Sequence, residues 1–196
     1  MRHIAILGGG DPSNRRANEL PPGIELWGMN LCHRGLTRPA QRWFQMHHRM
    51  HGSENGNPPG HFGRPLDHER FLQTCGIPVM MQSHDPLIPT AMRYPRLEVA
   101  ARFGDYFTST VAFALGLALY EGAGRITLLG IFLQTAQEYG EQRECMAYWL
   151  GVARTIGVPV DMPEDLCTLT KGPVYAYDEA DRLGGLRLTK VEALAV

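Results

Sequence analysis

The sequence predicts a doubly wound α/β fold, a single domain with a mostly parallel sheet and helices on both faces. Three observations predict it. Short apolar runs of strand length recur along the chain, bounded by glycine, proline and asparagine. The stretches between them are long enough for the dozen-residue crossovers that parallel strands need. Residues 105–131 read in succession as a polar helix start, a buried helix, a glycine stop and a buried strand.

Taken in order, the run at residues 2–7, with His3, Ile4, Ala5, Ile6 and Leu7, predicts a first buried strand. Gly8, Gly9 and Gly10 follow at once, with Asp11, Pro12, Ser13 and Asn14 behind them. A glycine run between strand and helix lets backbone N–H groups approach a phosphate or a sugar, and it serves equally well as a tight turn. It matches neither G-x-G-x-x-G nor the P-loop. Residues 24–29 predict a second strand ending at Asn30. A polar residue there either faces the ligand crevice of a parallel sheet or simply turns the chain. Residues 42–47 predict a third strand with His47 at its carboxyl edge.

Residues 48–65 are rich in glycine, proline and asparagine and have little to bury, which predicts a long mobile loop of the lid or insertion kind. A short helix is expected over 67–74 and a fourth strand over 78–82, with Ser83, His84 and Asp85 just beyond. Residues 85–98 carry three prolines and read as an ordered excursion. Thr108, Ser109 and Thr110 are cap-type residues whose oxygens can accept the N–H groups of a first helical turn. Residues 111–120 are apolar on every face, so this helix is expected to be covered on both sides. Gly122 and Gly124 supply the stop, and residues 126–131 the central strand.

Met146, Trp149, Leu150, Ala153 and Ile156 repeat at helical spacing within 134–157. A last strand is expected over 158–162. The domain spans 1–180, and 181–196 forms a C-terminal tail. Right-handed crossovers then bring the glycine run, Asn30, His47, Gln134 and the Thr108–Thr110 helix start to one edge of the sheet.

Composition narrows the functional classes. The chain has 196 residues, 44% of them hydrophobic and 20% charged, as in an ordinary soluble domain. A formal net charge of -1 does not indicate a nucleic-acid partner. A local stripe of Arg34, Arg38, Arg42 and Arg49 leaves that partner open. The four cysteines form no C-x-x-C pair, which points to reduced thiols and a cytoplasmic location. Neither a signal peptide nor a membrane span is read in the sequence.

Among the chemistry-bearing residues, His47 or His84 suits a general base, since imidazole titrates near neutral pH. The histidines do not follow a zinc pattern, and no metal site is expected. There is no G-x-S-x-G elbow for a serine hydrolase. Gln134, Glu138 and Arg143 open the long helix after the central strand. Arg143 can pair with a phosphate or carboxylate, and Glu138 can bind a cation or fix Arg143. The competing reading is a solvated first turn.

Three pieces, residues 6–14, 106–112 and 124–133, together resemble the Rossmann-like group that contains hydroxymethylpterin diphosphokinase-like proteins and the small bacterial sialyltransferases. The chain also resembles uncharacterised proteins of tailed bacteriophages, including its segments 138–143 and 148–151. The resemblance implies a phage-encoded, cytoplasmic transferase that takes a nucleotide or nucleotide-sugar as its small-molecule ligand, with any divalent cation left open. Gly8, Gly9, Gly10, Ser13 and Asn14 would hold phosphate or ribose, joined by Ser109 and Thr110. Asn30, Gln134 and His47 would line the base or acceptor side, with His47 moving the proton and Arg143 neutralising phosphate. Two departures stand out: Asp11 separates the last glycine from Pro12, and Phe132 stands where the group commonly has aspartate. The latter favours the runner-up, a non-catalytic ligand- or partner-binding protein that kept the fold. A third reading is an enzyme of phage DNA base modification.

Overall fold

The computed structural model describes residues 1–10, 13–49, 62, 65–131 and 138–162, with the backbone alone for Ser13, Asn14, Glu138 and Tyr139. Seven parallel strands form one sheet: β1 (His3–Leu7), β2 (Glu25–Met29), β3 (Arg42–Gln45), β4 (Val79–Met81), β5 (Ala91–Arg93), β6 (Arg125–Leu129) and β7 (Val160–Asp161). Their order across the sheet is β5-β4-β3-β2-β1-β6-β7. The helices are α1 (Ser13–Asn18), α2 (Leu66–Thr74), α3 (Arg96–Phe103), α4 (Thr110–Tyr120) and α5 (Glu138–Thr155), with a 3-10 turn at Asn30–His33. This is the Rossmann-like α/β fold expected from the sequence.

The order explains where helices lie. From β1 to β5 the chain steps one way across the sheet, and from β5 through β6 to β7 it steps back. Right-handed crossovers therefore put α1 and α2 on one face and α3, α4 and α5 on the other. Strand β1 is apolar on both sides, with Ile4, Ala5, Ile6 and Leu7 fully buried. A strand covered on both faces must read this way.

Helix α4 packs on β1, β2 and β3 and is flanked by α3 and α5. Ala114, Leu115, Leu117 and Ala118 are almost wholly excluded from solvent. A helix with no polar stripe is what a position between a sheet and two helices requires. Ser109 caps it: the residue is extended (φ -152, ψ 156) and its Oγ accepts the Ala112 N–H at 3.3 Å. Gly122, at φ 78, ends it in the left-handed conformation. Gly124 is not left-handed; a Cβ there would lie 2.0 Å from Met1 Cγ, so it is held by close packing.

Two elements inside 85–98 differ from a plain excursion. Residues 91–93 form the edge strand β5, and Arg96 opens α3 directly after Pro95. The expected loop at 48–65 falls largely outside the described residues, as do the tail 181–196, Gln134 and Phe132.

Candidate functional site

In an open parallel sheet, ligands bind outside the carboxyl ends of the strands, most of all where neighbouring strands send their connections in opposite directions. Here that point lies between β1 and β6, since β1 leads to β2 and β6 leads to β7 on the other side. The glycine run sits at this point. Gly8 N–H donates to the Leu129 carbonyl at 2.7 Å and Gly10 N–H to the Gly130 carbonyl at 2.9 Å. A Cβ on Gly8 would lie 2.7 Å from Gly130 O, so only glycine lets the two strand exits touch. Two of the three amides are thus spent on the neighbouring exit. Around Gly9 there is open space.

Asn30 ends β2 with φ 48, the one left-handed non-glycine among the described residues. Asparagine tolerates this conformation better than most residues. Its carbonyl accepts from Trp43 Nε1 at 3.3 Å. Its Oδ1 is buried with no hydrogen-bond partner among the described residues, as is Gln45 Nε2 at the end of β3. Gln45 Oε1 meets His68 Nε2 at 2.9 Å, both residues being fully buried. His33 stacks on Phe71 with ring centroids 4.3 Å apart. Burial pushes the His33 imidazole below its ordinary value, partly offset by the Asn30 backbone and by Asp67.

Two clefts adjoin at the same edge and share Gln82. The larger, about 660 Å³, lies over β4, β5 and the start of α3, and is lined by Gln82, Arg93, Tyr94, Arg96 and Phe107, among others. The smaller, about 440 Å³, is lined by His47, His48, Arg49, Gln82, His84 and Asp85, among others. Both histidines named as general-base candidates therefore face one cavity. Arg49 fixes its wall: its guanidinium meets Glu69 Oε1 at 2.5 Å and Asp85 Oδ2 at 2.6 Å, above the Phe62 ring.

The start of α4 is held from α5. Thr108 Oγ1 donates to the Glu141 carbonyl, Trp149 Nε1 donates to the Tyr106 carbonyl at 2.7 Å, and Tyr148 Oη bonds the Phe103 carbonyl. Cys145 Sγ donates to the Tyr106 carbonyl and accepts the Thr108 N–H. Ser109 and Thr110 are thereby fixed at the carboxyl edge, though neither cleft is lined by them or by Gly8–Gly10. Arg143 lies on α5; Gln134 and the side chains of Ser13, Asn14 and Glu138 lie outside the described set. Among the described residues no cluster of three or more His, Cys, Asp or Glu is placed to hold a metal ion.

The arginine stripe does not form a free basic surface. Arg34 pairs with Asp67, Arg42 with Glu121, and Arg49 with Glu69 and Asp85. Arg38 donates to the carbonyls of Leu20, Pro21 and Ile24. Among the described residues, no helix is long and apolar enough to cross a membrane.

Fold and edge together define the class: a Rossmann-like parallel α/β domain with its clefts at the carboxyl ends of the strands. Solved structures of sialyltransferases share this fold. One is the sialyltransferase CstII from Campylobacter jejuni in complex with the substrate analogue CMP-3FNeuAc, with a TM-score of 0.53 and 14% identity, covering 86% of this chain and 82% of that one. Another is sialyltransferase CST-II with trisaccharide acceptor and CMP, with a TM-score of 0.53 and 13% identity, covering 85% and 82%. At such identities the likeness is one of fold. These structures match the sialyltransferase arm of the sequence resemblance and not its pterin or phage arms. No protein-family model matches the sequence, and no curated protein does.

Proposed function

We propose that the protein is a nucleotide-sugar-dependent glycosyltransferase. The observation that carries this reading is the pair of adjoining clefts at the carboxyl edge, with His47 and His84 in one of them. A transferase must hold donor and acceptor side by side, and one sialyltransferase structure of this fold is in complex with a trisaccharide acceptor and CMP.

The donor's phosphate lies over Gly9, between the ends of β1 and β6, where there is open space, and Ser109 and Thr110 at the start of α4 are assigned to the same phosphate. The partial positive charge of a helix N-terminus meets a phosphate there. Gly8 and Gly10 shape the bend, and Ser13 and Asn14 meet the ribose or phosphate. Asn30 and Gln134 line the base or acceptor side. The acceptor hydroxyl lies in the smaller cleft. As its oxygen forms a bond to the anomeric carbon, His47 takes its proton, and the bond from that carbon to the phosphate oxygen breaks with its electron pair leaving on the nucleotide. Arg143 supports the phosphate charge, with Glu138 orienting it. On the tailed-phage likeness of its sequence, the protein is phage-encoded and works in the host cytoplasm.

The test is incubation with CMP-, UDP- and GDP-sugars and a panel of glycosides, read by mass spectrometry. The expected result is a glycoside heavier by one sugar, with release of one nucleotide. No nucleotide release above that of a His47→Ala variant, from any donor, overturns the proposal.

A further inference from the structure

The larger cleft holds an arginine that the described fold does not engage. Arg93 ends β5 at the carboxyl edge, opposite Met81 in the register, and its side chain lines the cleft. It makes no hydrogen bond or ion pair with any described residue. The other arginines lining the two clefts differ. Arg49 is held by Glu69 and Asp85, and Arg96 forms two hydrogen bonds with Asp105, the closer at 2.5 Å. Glu98 also lines the larger cleft and forms no ion pair with Arg93.

The floor beside Arg93 is aromatic. Phe107 and Phe113 stack with centroids 4.5 Å apart and planes 10° from parallel. Tyr94 closes the group edge-on to both rings. A planar base or the C–H face of a pyranose suits such a floor. A guanidinium presents a rigid fork of donors that matches a carboxylate or phosphate. Floor and fork together select a ring-shaped ligand that carries an oxyanion.

We infer that Arg93 is the oxyanion-binding residue of this cleft, pairing with a carboxylate, as of a sugar acid, or with a phosphate on the ligand that this cleft holds, four strands away from the crevice between β1 and β6. The inference rests on the glycosyltransferase reading for the class of ligand, while the binding it describes needs no turnover.

Calorimetric titration of the full chain tests it, with CMP as the phosphate arm and N-acetylneuraminate as the carboxylate arm. The methyl ester of N-acetylneuraminate is the neutral control. The variants are Arg93→Gln, Arg93→Lys and, on the exposed surface of α2, Arg70→Gln. Losing a charge-assisted pair weakens binding by about tenfold or more. Arg93→Gln is expected to lose that much for one of the two anions, Arg93→Lys to retain part of it, and Arg70→Gln to bind as the natural chain does. The anion that loses affinity identifies the source of the oxyanion, and if it is the sugar acid its methyl ester binds weakly to every variant. Unchanged affinity in Arg93→Gln, equal loss in Arg70→Gln, or no binding of either anion overturns the inference. Transfer that is indifferent to Arg93→Gln overturns this inference alone; Arg93-dependent binding without transfer from any donor overturns the transferase reading alone.

Discussion

The two edges of the sheet treat charge in opposite ways. At the amino-terminal edge, Arg2 meets Glu25 and Glu121, Arg42 meets Glu121, and Arg125 meets Asp161. Arg42 also lies 4.4 Å from the centre of the Trp27 ring. At the carboxyl edge, His47, His48, His84 and Arg93 are exposed along two clefts. One edge uses its charges to hold strands and helix ends together. The other keeps polar groups in the open, where a ligand can use them. Even at the carboxyl edge Arg49 and Arg96 are paired with carboxylates, so it is Arg93, at the end of an edge strand, that is left for a ligand.

Substitutions at each edge should sharpen or break that contrast. The largest effect is expected from His47→Ala, which removes the proposed base and lowers the transfer rate by about a hundredfold to ten-thousandfold. Its free energy of unfolding in urea should stay within about 0.5 kcal/mol of that of the natural chain, as for other exposed positions. A comparable loss of stability would place His47 with the structural residues. Next comes Gly28→Ala. Gly28 faces Trp43 across β2 and β3, and a Cβ there would lie 2.1 Å from the indole. Overpacking of this kind costs about 1–3 kcal/mol in urea unfolding; a smaller cost would show that the indole can move aside.

Ser109→Ala should cost about 1 kcal/mol through loss of the α4 cap. If Ser109 also touches the donor, nucleotide affinity measured by calorimetry falls with it; unchanged affinity makes Ser109 a cap alone. Glu121→Ala at the opposite edge removes the shared partner of Arg2 and Arg42. The expected loss is about 1 kcal/mol or less, because these groups are partly exposed, and transfer should be unaffected.

The smallest effect concerns acid. Arg2 holds the Glu25 carboxyl below its ordinary value of 4.5. A carboxyl depressed by folding stabilises the folded state above the unfolded value, and that contribution fades as pH falls from about 4.5 through the lower folded value. Glu25→Gln should therefore flatten the acid limb of the stability curve below that pH and leave its neutral region parallel. An unchanged acid limb, followed by circular dichroism, removes Glu25 from the account.

Much of the fold was legible in the sequence because the strands that matter are buried on both faces and read as nearly unbroken apolar runs. His3–Leu7 is such a strand after its first residue, and in Arg125–Leu129 the buried Ile126, Leu128 and Leu129 are interrupted only by Thr127. Strand β5 was not legible. It has three residues, its Met92 and Arg93 are exposed, and the prolines around it mask any period. Missing β5 also hid the larger cleft, which joins Gln82, Arg93, Phe107 and Phe113 from four separate segments. The pairing of His47 with His84 was more accessible, since both follow strands and a parallel sheet sends such residues to one edge. The four arginines do not make one stripe, because nearness in sequence is not nearness in space. Arg42 opens β3 and Arg49 lies beyond its end, so the two belong to opposite edges.

The Tyr94 hydroxyl donates to the Phe113 carbonyl, tying the segment after the outermost strand to the first turns of α4 at 3.0 Å. Burial drives its ionisation well above the ordinary tyrosine value, so alkaline solution does not readily undo the tie. The border of the sheet is in this way riveted to its central helix. A molecule entering beneath Arg93 therefore meets, in Tyr94, a side chain already bonded to that helix.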